Sequence, residues 1–240
     1  MRRRADYGYD APYALTTFAA LGTISAIGAV VSSLSHRGPR GILTFYAVFF
    51  LANALSFFYT TRRGKFLVWD HILDGLSLAG DERVLDVGCG RGAVSIAAAK
   101  RLRSGRVAGI DLWSTHDQSG NSGAAAVRNA LREGVEDRIG IATGDMRALP
   151  FPDSSFRLVV SSLAIHNISS KADRALAVTE AWRVLEPGGR LAITDIRTTA
   201  LYAQPLRGLG ANAVTRRGLG WRFWYGNPIA RTTLVTAGKP

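Results

Sequence analysis

Two charge-free apolar runs near the start of the chain restrict its fold more than any other feature. No charged residue occurs in residues 11–35 or 41–61, stretches of 25 and 21 residues. At about 1.5 Å per residue they make helices of about 37 and 31 Å. A bilayer core is about 30 Å thick, and backbone inside it must satisfy its own hydrogen bonds. The runs are therefore expected to form a transmembrane hairpin with spans at about 11–35 and 41–61. The turn is marked by Gly38-Pro39. Two other readings stay open. The first run is long for a secretory leader and lacks a small-x-small cleavage site. A helical hairpin buried in a soluble protein would carry a similar composition.

The first run places Gly22 and Ala26, Ser25 and Ala29, and Ala29 and Ser33 four residues apart. Such a face lets helices approach closely and permits a homodimer through the first span. The second run is bulkier, and its Asn53 is expected to face the partner helix.

Net charge is +12, from 30 basic and 18 acidic residues. Residues 1–65 hold eight of the basic and two of the acidic ones, so half the excess brackets the apolar runs. That distribution suits an anionic bilayer as partner, and no nucleic acid is expected. Arg2, Arg3, Arg4, Arg62, Arg63 and Lys65 flank one side, and Arg37 and Arg40 the other. The imbalance puts both termini and the bulk of the chain in the cytoplasm.

Residues 66–240 read differently. Over the whole chain, an apolar content of 47% excludes disorder. The single Cys89 excludes a disulfide framework, and the four isolated histidines give no metal-ligand spacing, so no metal site is expected. Helices are expected at 66–78, 92–102, 122–133 and 171–185. Strands are expected at 83–88, 106–111, 138–143, 156–163, 190–196, 221–225 and 231–237. Alternation of this kind means an α/β fold with a doubly wound, Rossmann-like parallel sheet, whose ligands sit beyond the carboxyl ends of the strands. Two domains follow: an anchor over 1–65 and an α/β domain over 66–240.

The segment Val84-Leu85-Asp86-Val87-Gly88-Cys89-Gly90-Arg91-Gly92 is a strand, an acid and a glycine turn opening a helix. Gly88-x-Gly90-x-x-Ala93 also fits a dinucleotide fingerprint, so a nicotinamide-dependent oxidoreductase is an alternative. Asp86 argues the other way: a carboxylate in the mouth of the turn suits an ammonium group and repels a pyrophosphate. Asp111 ends the next strand, where it can accept from ribose hydroxyls. Gly144-Asp145-Met146 follows the third strand, where a carboxylate can accept from an adenine amino group.

These segments, with Gly109-Ile110-Asp111-Leu112, Leu149-Pro150-Phe151-Pro152-Asp153-Ser154-Ser155-Phe156 and Val184-Leu185-Glu186-Pro187-Gly188-Gly189-Arg190, resemble class I S-adenosylmethionine-dependent methyltransferases. The small-molecule branch is the nearest likeness, over roughly residues 66–240. The resemblance implies S-adenosylmethionine as cofactor and a seven-stranded sheet with its last strand antiparallel. It implies that Gly88, Gly90 and Gly92, with Cys89 as a small filler, line the methionine part, and that Asp86 organises its amino group. Asp111 would hold the ribose, Leu112 pack on adenine, and Asp145 and Met146 read the adenine edge. Ser161 and Ser162 would lie near the methionine amine.

Methyl transfer needs alignment more than acid–base machinery, and a base only where the acceptor must lose a proton. His166, just past the fourth strand, is the candidate base. The polar loop 113–121 could act as a lid, with His116 or Gln118 touching the acceptor. Tyr202, Trp221, Trp224 and Tyr225 could wall an acceptor pocket. The expected protein is a membrane-anchored methyltransferase for a small lipophilic acceptor. A non-catalytic membrane scaffold is the further alternative.

Overall fold

The computed structural model describes residues 4–240, so Arg2 and Arg3 of the flanking cations lie outside the described residues. The two apolar runs are helices α1 (Pro12–Leu34) and α2 (Arg40–Tyr59). They pack on each other as a hairpin. An added Cβ on Gly22 would stand 2.8 Å from the Leu51 side chain. The small-residue face is thus partly occupied within the chain. Elsewhere the pair is bare: Ile24, Leu34, Phe45, Val48 and Leu55 are exposed, Leu34 by 77%.

The second helix does not stop at the expected boundary. It passes through a π-turn (Thr60–Gly64) directly into α3 (Lys65–Gly75). The turn is held by the loop that follows residue 220: Thr60 Oγ1 donates to the Trp224 carbonyl at 2.6 Å. Gly64 is required there, because a Cβ would stand 1.8 Å from the Arg222 carbonyl oxygen.

The remainder is β1 (Arg83–Val87), α4 (Ala93–Ala99), β2 (Arg106–Asp111), α5 (Gly123–Glu133), β3 (Ile139–Thr143), β4 (Phe156–Ser162), α6 (Lys171–Arg183), β5 (Leu185–Ile196), α7 (Ala200–Gly208), β6 (Asn212–Gly218) and β7 (Thr232–Gly238). These form one seven-stranded sheet in the order β3-β2-β1-β4-β5-β7-β6. The first five are parallel, and β7 runs antiparallel to both of its neighbours. Side chains alternate across it: Val84 joins one core layer with Trp69, Leu73 and Ile96, while Leu85 and Val87 join the other with Ile193 and Leu206.

One expectation needs correction. The strand expected at 221–225 is a short 3-10 turn, Trp221–Phe223, and the edge strand is β6 instead. Most of β6 is exposed, so no apolar alternation announced it. Asn53, buried within the hairpin, also engages the tail. It accepts from Asn227 Nδ2 at 2.8 Å and fixes the loop beneath the hairpin.

The residues ahead of α1 also join the α/β part. The Arg4 and Ala5 N–H groups donate to Glu133, and Asn129 of α5 donates to the Asp6 carbonyl at 2.8 Å. Tyr9 and Ser119 exchange backbone and hydroxyl hydrogen bonds, and Ala11 N–H donates to the Asp117 carbonyl at 2.8 Å. Loop 113–121 is thus pinned under the first residues of the chain.

Candidate active site

Strand β1 ends in a turn that only glycine can make. Gly88 has φ +73°, and a Cβ there would stand 2.2 Å from the Ala164 Cβ, beyond β4. Just before it, Asp86 is 1% exposed. Its Oδ2 accepts from Ser95 Oγ at 2.6 Å, while Oδ1 is buried and without a partner among the described residues. Burial, opposed by the Ser95 hydrogen bonds and aided by the nearby Asp111 charge, pushes the Asp86 carboxyl up to about 7. The same burial pushes the Cys89 thiol up, which keeps it protonated and inert.

Asp111 closes β2 beside the turn. It accepts from Gly90 N–H at 2.8 Å, Trp113 N–H at 2.6 Å and Asn121 Nδ2 at 3.1 Å. The carboxylate thereby organises both the glycine turn and the loop after β2. Asp145, after β3, is engaged by Arg147, whose Nε and Nη2 reach both of its oxygens at 2.6 to 3.0 Å. Those hydrogen bonds outweigh desolvation and hold the Asp145 carboxyl below the usual range.

A cavity of about 730 Å³ joins these groups. Asp86, Gly88, Cys89, Gly90, Asp111, Leu112, Asp145, Met146, Ser162 and His166 all line it. Gly92 and Ser161 do not. Gly92 is the left-handed N-cap of α4. Ser161 Oγ donates to the Val87 carbonyl at 2.7 Å, bracing β4 against β1. Ser162 is held by Trp69, whose Nε1 donates to it at 2.9 Å.

His166 follows β4 in a single 3-10 turn and is partly exposed to the cavity. Asp195, fully buried near the end of β5, supports it. Asp195 Oδ2 accepts from the His166 backbone N–H at 3.0 Å, and Oδ1 lies 2.5 Å from His166 Nδ1. Tyr202 of α7 donates to Asp195 Oδ2 at 2.8 Å, and burial together with the Asp195 charge pushes its phenol up. Tyr202 is therefore a support beneath the site and not a wall of it. Sequence reasoning missed Asp195, although an acid ending a fifth parallel strand is the signal by which Asp111 was found.

The other end of the cavity is apolar and lies at the foot of the hairpin. Ala14 and Phe18 of α1, Phe57 of α2, Phe66 of α3 and Ala230 line it. Of the tail aromatics only Tyr225 does so. Trp221 stacks on Tyr59 at 5.3 Å between ring centroids. His116 stacks on Tyr13 at 4.4 Å, whereas Gln118 lines the cavity and donates to Asp10. Asp10 and Lys65, also lining residues, were counted only as flanking charges. In the structure they pair at 2.7 Å, with the Lys65 side chain 6% exposed.

Residues 85–193 match the family model described as a methyltransferase domain. Over 132 residues the chain is 36% identical to demethylmenaquinone methyltransferase of Lactiplantibacillus plantarum, covering 55% of this chain and 51% of that protein. It is 33% identical over 153 residues to 27-O-demethylrifamycin SV methyltransferase of Amycolatopsis mediterranei, covering 63% and 50%. The chain spans about half the length of the curated relatives it matches. Geranyl diphosphate C-methyltransferase from Streptomyces coelicolor, solved with Mg2+, geranyl diphosphate and S-adenosyl-L-homocysteine, superposes with a TM-score of 0.59 at 16% identity, over 75% of this chain and 81% of that one. The stretch 85–193, which holds the glycine turn, Asp111 and His166, therefore matches a methyltransferase-domain model, and the sheet around it has the fold of the solved methyltransferase.

Proposed function

We propose that this chain is an S-adenosylmethionine-dependent methyltransferase, held at the cytoplasmic face of a membrane by α1 and α2, that methylates a small lipophilic acceptor. One observation carries the reading: a single cavity runs from Asp86 and Asp111 to the apolar foot of the hairpin.

The residues fit the cofactor. The unpartnered Oδ1 of Asp86 would take the ammonium of the methionine part, and side-chain-free Gly88 and Gly90 leave room beside it. Asp111 would take the ribose hydroxyls on lone pairs left over from its three protein donors. Leu112 and Met146 would pack on the adenine, and Asp145, released from Arg147, would read its edge. Ser162 would stand at the open face. When bound, S-adenosylmethionine supplies an electrophilic methyl group. The chain aligns the acceptor with it and keeps bulk water out. His166, oriented by Asp195, takes the proton of an acceptor hydroxyl where one must be lost.

Exposed apolar side chains around α1 and α2 support membrane insertion, since a soluble hairpin would bury them. The acceptor class is supported by the foot of the cavity and by relatives named for demethylmenaquinone and a demethylrifamycin. The test is to incubate the detergent-solubilised full chain with methyl-labelled S-adenosylmethionine and a membrane lipid extract. Label is expected in a small extractable molecule and not in protein or nucleic acid. Tight binding of NAD(H) with no response to S-adenosylhomocysteine would favour the oxidoreductase alternative instead.

A further inference from the structure

A charged cluster lines the cavity, and it is built from three distant parts of the chain. Asp10 precedes α1, Lys65 opens α3, and Tyr225 lies in the loop before β7. Lys65 Nζ donates to both oxygens of Asp10, at 2.8 and 2.7 Å. Tyr225 OH donates to Asp10 Oδ2 at 2.7 Å, Thr61 Oγ1 to the same oxygen at 2.8 Å, and Gln118 Nε2 to Oδ1 at 3.2 Å. Gln118 in turn accepts from the Arg91 N–H of the glycine loop at 2.8 Å.

The cluster is more elaborate than a latch requires. A buried ion pair adds little stability over well-packed apolar groups, because both charges must be desolvated. Asp10 is fully supplied with donors. Burial would raise its carboxyl, yet the Lys65 charge and the hydrogen bonds from Lys65, Tyr225 and Thr61 outweigh that and hold it below its ordinary range. Lys65 has fewer oxygen acceptors than N–H groups, its ammonium lying also over the Phe66 ring at 5.3 Å from the centroid. An ammonium has three N–H groups, and among the described residues only the Asp10 oxygens accept from it. The hydroxyl oxygen of Tyr225 likewise keeps a free lone pair after donating. Both groups line the cavity among Phe18, Phe57, Phe66 and Trp69.

We infer that Lys65 and Tyr225, positioned by Asp10, form a second binding locus for an oxygen substituent, a hydroxyl or carbonyl, on an otherwise apolar acceptor ring. The inference rests on the methyltransferase reading and deepens it. Lys65 supplies a donor to the acceptor oxygen, and Tyr225 accepts from it when that oxygen carries a proton. An acceptor held there and at His166 is fixed at two points, whereas a plain hydrocarbon is held only by contact with the aromatic walls.

The locus is tested with 2-naphthol and 2-methylnaphthalene as probes. Equilibrium dialysis is run on the full chain in lipid nanodiscs with saturating S-adenosylhomocysteine, and empty nanodiscs are subtracted. The wild type should hold 2-naphthol at least about tenfold more tightly, the worth of one charge-assisted hydrogen bond. Lys65→Met combined with Asp10→Asn should bring the ratio to about one, with S-adenosylhomocysteine affinity kept within about threefold. Tyr225→Phe, which deletes one oxygen, should lower the ratio about threefold and decides the matter if the double variant does not fold. A wild-type ratio near one overturns the locus, as does a ratio that survives in either folded variant. S-adenosylhomocysteine binding is measured first and without probe. Its absence in the wild type defeats the methyltransferase reading separately.

Discussion

His166 Nδ1 lies 2.5 Å from Asp195 Oδ1, joining the turn after β4 to the buried end of β5. The backbone N–H of the same histidine donates to the other Asp195 oxygen at 3.0 Å, so one carboxylate holds the chain at this position and lies against its ring. In the proposed reaction an imidazole beside a buried carboxylate serves as the base for an acceptor proton. His166→Ala should lower turnover by about 10²- to 10⁴-fold on an acceptor that must lose a proton. Affinity for S-adenosylhomocysteine should hardly change, and calorimetry beside the turnover assay reads both. Full turnover in the variant would remove His166 from the mechanism.

In the proposed site, Asp86 should give cofactor binding a pH dependence. Its carboxyl sits at about 7 in the folded protein, above the ordinary 3.8. The unfolded chain therefore ionises first as pH rises. Stability of the ligand-free protein should fall between about pH 4 and 7 and then level off. Binding runs the other way, because the ammonium of the ligand favours the ionised carboxylate. S-adenosylhomocysteine should bind about tenfold more tightly at pH 8 than at pH 6. Asp86→Asn should bind weakly and without that slope, which titration calorimetry across the range will check.

Gly88→Ala introduces a methyl 2.2 Å from the Ala164 Cβ on a backbone at φ +73°. The left-handed conformation alone costs about 1–2 kcal/mol for a residue with a Cβ, and the clash adds to it. The expected result is a lower melting temperature and at least about tenfold weaker S-adenosylhomocysteine binding. Thermal denaturation and calorimetry on the same preparation separate the two effects.

The bare faces of α1 and α2 predict retention in membranes after alkaline carbonate extraction. Ile27 and Val48 are exposed midway along the two helices. Ile27→Lys together with Val48→Lys should release the protein into the soluble fraction, since each lysine near a bilayer centre costs about 2.5–3.5 kcal/mol. Retention of the doubly charged variant would point to attachment by some other route.

The sheet and the end of the cavity beside its strand ends were legible because they rest on local rules. An apolar strand followed by a glycine turn announces itself, and so does an acid at a strand end. Asp86, Gly88 and Asp111 could thus be named from spacing and stand around one cavity. Ser161 shows what spacing leaves open: a strand-end serine can satisfy a neighbouring strand's carbonyl as easily as a ligand, and here it bonds Val87. The end of the cavity below the hairpin was not legible. Asp10, Lys65 and Tyr225 are separated by up to 215 positions, and nothing local links them. Near a span, Asp10 and Lys65 looked like ordinary flanking charges. Only the π-turn and the return of the 224–230 loop bring them together. The edge strand β6 escaped because its side chains are mostly in solvent and carry no periodic apolar signal.

The passage from α2 through Thr60–Gly64 into α3 leaves no loose leash between the apolar hairpin and the sheet. In the proposed setting, the catalytic half stands on a stiff pillar and cannot tumble beneath the bilayer. The mouth of its chamber stays at one height, so acceptors are met by lateral diffusion in two dimensions. Catalytic efficiency would then follow the mole fraction of acceptor in the lipid, not its concentration in the bulk.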